Sequence, residues 1–292
     1  MSSKWLKLLA GVSSATVSTL GYMHRVEPRW LRISRLTLSI PNLPLAFDGY
    51  QIAHLSDLHL GVQMAHRNLP TIVEIVNHEH PDLIAITGDL STGKRGGLDD
   101  GQHILSRLHA PDGVWGILGN HDYHVGVDAV MKMAQRAGIG MLRNQHHLLT
   151  RDADCMILAG VDDVLIGAPH LPAALHNTPP NLPVILLAHE PDFARIALSY
   201  PNIVLQLSGH THGGQICPPL LGPIVLPKLG HIYYAGAYQV RHLALYVSSG
   251  TGTGRFELRF NCRPEIAFIQ LRRGNQENNH QWQIKYRKDA VS

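Results

Sequence analysis

A mixed α/β fold, with two mixed β-sheets at its core and helices on the outside, is predicted by three features of this chain. From Tyr50 to Gly138, apolar strand-type runs alternate with helical stretches, the rhythm of a mainly parallel sheet with covering helices. From about Gln145 the chain is richer in strands, and a two-sheet core accommodates both halves. Short polar clusters also follow the strand-type runs, and strand ends are where an α/β fold places its chemistry.

Alternation at Leu31, Ile33, Leu36, Leu38 and Ile40 predicts a strand that stops at Pro41-Asn42-Leu43-Pro44. Strands follow at Tyr50 to Leu55, Leu83 to Thr87 and Val114 to Leu118, with helices at Arg67 to His80, Asp99 to Leu108 and Val127 to Ala137. Asp99 and Asp100 suit a helix start, where the dipole favours acidic groups. Val114 and Trp115 are expected in the core. The second half predicts strands at Leu148 to Thr150, Met156 to Val161, Val184 to Leu187, Ile203 to Leu207, Leu243 to Val247, Phe256 to Phe260 and Ile266 to Leu271. There is no internal repeat, so residues 31–292 are expected to form one domain behind a separate segment, residues 1–30.

Charged residues are 16 % and hydrophobic residues 45 %, the balance of an ordinary globular protein. A net charge of +3, with Lys and Arg spread out, argues against nucleic acid as an obligate partner. Nothing points to a protein partner. Cys155, Cys217 and Cys262 are odd in number and form no CxxC pair, which argues against a disulfide framework and a zinc ribbon. Of the 20 His, those such as His66, His78, His80 and His103 fall in polar helical stretches and are expected in solvent.

Leu8 to Met23 carries no charge for 16 residues and follows Lys4 and Lys7, the pattern of a signal peptide or signal anchor. As a helix it would span roughly 24 Å, short of the hydrocarbon thickness of about 30 Å. Its Ser and Thr make it only weakly hydrophobic. A membrane-associating segment, a marginal N-terminal helix and a cleaved signal all remain open. Arg25, Arg29, Arg32 and Arg35 outnumber the two preceding Lys, so a spanning segment would leave the main domain on the cytoplasmic side. A segment lying flat would favour an anionic lipid surface instead.

The clusters read Ser56-Asp57-Leu58-His59, Gly88-Asp89, Gly119-Asn120-His121-Asp122, Ala188-His189-Glu190 and Gly209-His210-Thr211-His212. Asp57 and His59 are two apart, and a strand-like backbone would aim both at one ion. Asp89 can offer an oxygen to each of two cations, Asn120 a neutral carbonyl oxygen, and His189, His210 and His212 three imidazoles. Such mixed ligation suits Mn²⁺, Fe or Zn²⁺ better than Ca²⁺ or Mg²⁺. Two cations about 3.5–4 Å apart would clamp a phosphoryl group and share a hydroxide whose pKa falls toward neutrality. Extended geometry would turn His121 toward substrate, to protonate a leaving oxygen, with Asp122 orienting it.

In this order the five clusters resemble the calcineurin-like metallophosphoesterase superfamily, over about residues 50 to 215. The resemblance implies a four-layer sandwich, two sheets wrapped by helices, with a dinuclear site at the sandwich edge. It also implies that Asp57, His59, Asp89 and His212 hold one metal, that Asp89, Asn120, His189 and His210 hold the other, and that His121 is catalytic. Glu27-Pro28, Phe47-Asp48-Gly49, His189-Glu190-Pro191-Asp192, Gly213-Gly214-Gln215 and Arg263-Pro264-Glu265-Ile266 are similar to the YkuE/YaeI-like bacterial branch. That branch implies a phosphodiesterase, often behind an export or anchor segment, at the bacterial inner membrane. A related enzyme cleaves the pyrophosphate of UDP-2,3-diacylglucosamine in lipid A synthesis. The twin Arg of a twin-arginine export signal is lacking.

Other polar residues have simpler readings. His54 is expected to be structural, and Asp48 and Asp192 to be cap or turn residues. Lys94 and Arg95 either hold substrate phosphate or sit in a solvated loop. Gly250-Thr251-Gly252-Thr253-Gly254 lacks the setting of a dinucleotide loop and reads as a turn between strands. Ile216 to Leu229 holds four prolines, which exclude a regular helix or central strand. It walls the substrate pocket, dips into a membrane or packs on the core.

The expectation is therefore a phosphodiesterase or pyrophosphatase with two divalent metals, Mn²⁺ before Fe or Zn²⁺, acting on a lipid- or nucleotide-linked substrate at a membrane surface. A phosphomonoesterase or protein phosphatase, and a non-catalytic metal-binding scaffold, are the alternatives.

Overall fold

The computed structural model describes residues 16–93, 98–254, 257–274 and 281–285. Residues 16–25 are helical. Among the described residues the strands are β1 (Arg32–Pro41), β2 (Gln51–Leu55), β3 (Leu83–Thr87), β4 (Val114–Ile117), β5 (Ile139–Met141), β6 (Gln145–Arg151), β7 (Asp154–Gly160), β8 (Val184–Leu187), β9 (Ile203–Ser208), β10 (Gly236–Val240), β11 (Leu243–Val247), β12 (Glu265–Gly274) and β13 (Gln281–Lys285). The principal helices are α1 (Gln63–His78), α2 (Leu98–Leu105), α3 (Asn120–Val125) and α4 (Val127–Arg136), with single turns α5 (Leu171–Ala174) and α6 (Ala194–Ala197).

Seven strands form one sheet in the order β13-β1-β12-β2-β3-β4-β5, and six form a second in the order β10-β11-β9-β8-β7-β6. The β2-β3-β4-β5 run is parallel, as is β7-β8-β9-β11.

The apolar runs of β3 and β8 show why two sheets must stack. Along β3, Leu83 and Ala85 face the space between the sheets, whereas Ile84 and Ile86 face the helices. Along β8, Ile185 and Leu187 meet the first sheet, and Val184 and Leu186 turn outward. Each strand is covered on both faces, so it is apolar throughout instead of alternating with polar residues. Helix α1 closes one outer face with Leu69, Ile72, Val73 and Val76, spaced as one helical stripe. Phe193, Ala194 and Ala197 close the other. The result is four layers: helices, sheet, sheet, helices.

The expected strand over Phe256–Phe260 does not form. Residue 256 lies outside the described residues, and residues 257–259 are irregular, with one bridge from Phe260 to Ile216. Arg259 turns its side chain into the interior, where backbone carbonyls surround it, so the segment cannot keep a strand's alternation. Half of the uncharged N-terminal run, residues 8–15, and Lys94 and Arg95 also lie outside the described residues.

Candidate metal centre

The site is built where parallel strands end. Asp57 lies two residues past β2, Asp89 two past β3, His189 two past β8 and His210 two past β9, while Asn120 opens α3 just beyond β4. Backbone bonds draw these ends together: Asp57 N–H donates to Gly88 O (3.1 Å) and Gly209 N–H to His189 O (3.0 Å). The His210 N–H crosses between the sheets to the Asp57 carboxylate, 3.1 Å from each oxygen.

The backbone at these turns is not strand-like. Asp57, His59, Asp89, His210 and His212 all have left-handed φ, between 51° and 70°. L-residues other than glycine adopt that region sparingly, and such strain gathers at functional sites. Asp57 and His59 therefore converge through two tight turns, not through the extended geometry expected from their spacing.

Two groups of donor atoms lie within 4.8 Å of one another: Asp57 with His59 and His212, and Asp57 with Asp89 and His189. Asp89 Oδ2 is 3.7 Å from His59 Nε2 and 3.4 Å from His189 Nε2, so it reaches both groups. His210 Nδ1 lies 3.1 Å from Asn120 Oδ1, and the His210 ring meets His189 edge-on at 5.0 Å. All seven expected donors are thus brought to one place. The close triples differ from the implied sets: Asp57 belongs to both, Asp89 only to the second, and His210 to neither.

The donor chemistry fits cations. His189 gives its Nδ1–H to Thr87 O (2.7 Å), which leaves Nε2 buried without a hydrogen bond. His210 gives Nε2–H to Lys228 O (2.9 Å), which leaves the Nδ1 lone pair facing the Asn120 oxygen. A backbone carbonyl on the far ring nitrogen is the usual support of a metal-binding imidazole. Burial lowers the pKa of His59 to about 3 and of His210 to about 4, so both are neutral donors at pH 7. Burial, with His59 and Arg259 nearby, also holds His212 well below the ordinary range. Burial pushes Asp57 up to about 6. Burial opposes charge on Asp89 too, yet the His189 ring 3.4 Å away holds it well below the carboxylate range.

The glycines of the motifs make room for this crowding. A Cβ on Gly119 would strike Asp89 and stand 2.8 Å from His189 Nε2, and one on Gly209 would collide with Ser56 and Asp57.

His121 lies in α3 and lines a cavity of about 550 Å³ with Asp89, Asn120, His210 and His212. Its Nδ1 is 2.8 Å from Thr92 Oγ1. Asp122 does not orient it. The Asp122 carboxylate is buried and accepts from the N–H groups of Gly119 (3.0 Å), Leu90 (3.2 Å) and Ser91 (2.9 Å), fixing the Asp89 turn against the start of α3. One residue along a helix turns the side chain by about 100°, which separates Asp122 from His121.

Residues 50–214 match the family described as calcineurin-like phosphoesterase. This chain belongs to that family. It is 36 % identical to the uncharacterized metallophosphoesterase YkuE of Bacillus subtilis, across 93 % of this chain and 98 % of that one. It is 32 % identical to the phosphodiesterase YaeI of Escherichia coli, across 88 % and 94 %. Identity is also 32 % to a zebrafish (Danio rerio) transmembrane protein with a metallophosphoesterase domain, across 91 % of this chain but 62 % of that one. Membership makes the chain a phosphoric ester hydrolase with candidate metal-binding residues. No helix among the described residues is long and apolar enough to cross a membrane.

Two parts of this calcineurin-like centre escape sequence reasoning. Thr92 follows Asp89 without a motif of its own. Arg259 is fully buried, and its guanidinium donates to the carbonyls of Ser249 (2.8 Å), Gly250 (3.1 Å) and Cys262 (3.1 Å). It thereby holds the Gly250–Gly252 loop under Asp57, where Gly252 N–H donates to Asp57 O (2.8 Å). That loop is more than a turn between strands. His54 is structural as expected, buried and 2.8 Å from Thr87 Oγ1. Asp48 and Asp192 accept backbone N–H groups in loops.

Proposed function

We propose that this chain is a metal-dependent phosphodiesterase whose two divalent cations are held by Asp57, His59, Asp89, Asn120, His189, His210 and His212. The observation that carries this reading is the meeting of donors from five strand ends, with five of the seven in left-handed backbone. A mixed oxygen and imidazole set favours Mn²⁺, with Fe and Zn²⁺ as alternatives. Bound there, the cations supply charge neutralisation for a phosphoryl group and an activated water.

The chain's own residues do the rest. Asn120, His121, His210 and His212 line the cavity, so a phosphoester seated against the donors meets His121. With Nδ1–H donating to Thr92 Oγ1, the protonated ring of His121 passes its Nε2 proton to the departing oxygen and is left neutral. Asp122 acts beneath, by fixing the turn that bears Asp89.

A diester or pyrophosphate is preferred over a monoester because the cavity continues past the polar donors onto Ile216, Ile224, Val225 and Pro227, which gives a second substituent a place. Lipid-linked and nucleotide-linked substrates both fit that description, UDP-2,3-diacylglucosamine among them. The purified protein with Mn²⁺ should hydrolyse bis-(p-nitrophenyl) phosphate faster than p-nitrophenyl phosphate. Binding of two metals without hydrolysis of either would leave a metal-binding scaffold. Faster monoester turnover would make it a phosphomonoesterase. A screen of phosphodiesters, nucleotides and UDP-linked lipids then assigns the substrate.

A further inference from the structure

Two apolar protrusions leave the molecule beside the mouth of the cavity. The first is the proline-rich loop 216–229, where Leu220 is 106 % exposed, Leu221 81 %, Val225 73 % and Ile224 63 %. Its four prolines restrict the backbone, so these side chains are held outward at a convex tip. The second is the N-terminal helical stretch with the turn that follows, where Val17, Leu20, Val26 and Trp30 are exposed.

Both protrusions are rooted on one piece of backbone. Arg259 N–H donates to Met23 O (2.9 Å) and His24 Nδ1 meets Glu257 O (2.9 Å), which ties down the end of the helical stretch. On the other side, Phe260 N–H donates to Gln215 O (3.0 Å) and Cys217 N–H to Phe260 O (2.8 Å), which ties down the base of the loop. The same root reaches the metal centre, for Arg259 Nη2 lies 3.5 Å from His212 Nδ1. Ile224 and Val225 join cavity to surface, since they line the one and are exposed on the other.

Charge selects the occupant. No Asp or Glu occurs between Asp192 and Glu257, and Arg25, Arg29 and Lys228 are exposed at the bases of the two protrusions. Exposed apolar side chains with cations at their bases, one set overlapping the uncharged run Leu8 to Met23, match an anionic bilayer. Trp30, with Arg263 stacked 4.1 Å from its ring centroid, suits the headgroup level.

We propose that this face docks on an anionic lipid bilayer, with the Leu220–Val225 tip inserted and the cavity mouth held at the surface. The substrate is then a phosphoester presented from that bilayer. Only this last step rests on the phosphodiesterase reading; docking does not.

The test uses full-length protein in flotation with vesicles of phosphatidylcholine, alone or mixed equally with phosphatidylglycerol. Wild type should partition preferentially onto the anionic vesicles. Leu220→Ser combined with Leu221→Ser, neither of which lines the cavity, should weaken that partition by about 10- to 100-fold. Turnover of a fluorescent phosphodiester lipid in those vesicles should fall in parallel, while hydrolysis of bis-(p-nitrophenyl) phosphate stays unchanged. Equal flotation of variant and wild type would overturn the docking. So would wild type eluting as a dimer and the variant as a monomer in gel filtration with equal flotation, which would assign the tip to a second copy of the chain. Absence of soluble-substrate turnover in wild type would strike the enzymatic reading instead, with flotation still deciding the docking.

Discussion

His59 and His212 bring their Nε2 atoms within 2.9 Å of each other, with the two rings stacked at 17°. Burial keeps both imidazoles neutral, so each can turn a lone pair toward the same point beside Asp57 and Asp89. Without a cation, one of them must carry a hydrogen there, and the buried Nε2 of His189 nearby has no hydrogen bond. Metal should therefore stabilise the fold as well as activate it. Chelation is expected to lower the melting temperature by several degrees, and Mn²⁺ at about 100 times its Kd to restore about 2.7 kcal/mol. Differential scanning fluorimetry with and without chelator measures this, and an unmoved transition would count against the site.

Asp89 is expected to matter most of the carboxylates, because its Oδ2 reaches both His59 and His189 while Oδ1 accepts from His121 N–H (2.8 Å). Asp89→Asn keeps the size and removes the charge. It should cut the metal content per chain and lower kcat at saturating Mn²⁺ by about 10³-fold or more. Elemental analysis beside steady-state kinetics would show both, and near-normal turnover would remove Asp89 from the centre.

His121 should separate chemistry from metal binding. His121→Ala is expected to retain both cations and lose roughly 10²- to 10⁴-fold in kcat, the usual share of a general acid. Thr92→Val, which deletes the hydroxyl beside Nδ1, should lower kcat by less and leave the metal content unchanged. A loss of metal with His121→Ala would show the ring to be a ligand.

How much of this was legible in the chain depends on local signals. β3, β8 and β11 declared themselves because strands covered on both faces are apolar at every position. The candidate donors stand out because Asp, Asn and His lie at the ends of such runs. By contrast β10, with the pattern GAYQV and no buried residue, and the three-residue β5 have too little periodicity to read. Asp122 was misread because sequence adjacency to His121 suggests contact, whereas the helical turn of α3 parts them. Arg259 was invisible for a deeper reason: its burial depends on carbonyls contributed by residues 249–252 and 262, which only the folded chain assembles.

His54 should govern part of the acid limb of stability. Burial lowers its pKa to about 4 from the ordinary 6.5, and it is neutral against Thr87 Oγ1. The unfolded chain therefore binds the extra proton between these two values. The stability that His54 contributes is fully present above about pH 6.5 and is lost as pH falls toward 4, by up to about 3 kcal/mol. Urea unfolding of wild type and His54→Asn across this range should give curves that converge on acidification. Parallel curves would mean that His54 is not buried and neutral.

Arg259 offers the sharpest separation of support from chemistry. Its side chain is fully buried without a carboxylate within 4 Å among the described residues, so its charge is solvated mainly by backbone carbonyls, with Cys262 Sγ and His212 Nδ1 beside it. Those carbonyls belong to the loop that packs under Asp57 and would lose their donors on truncation. Arg259→Met fills much of the volume but leaves several buried acceptors unpaired, a change expected to cost about 3–5 kcal/mol. Lys has three donors on a single atom and cannot span the same carbonyls, so Arg259→Lys should recover little of the loss. The loop's grip on Asp57 predicts a second effect that a distant core residue would not produce. Folded Arg259→Lys protein, at low temperature, should bind Mn²⁺ more weakly than wild type. Urea denaturation and metal competition together check this, and a destabilised variant with unchanged metal affinity would confine Arg259 to the fold.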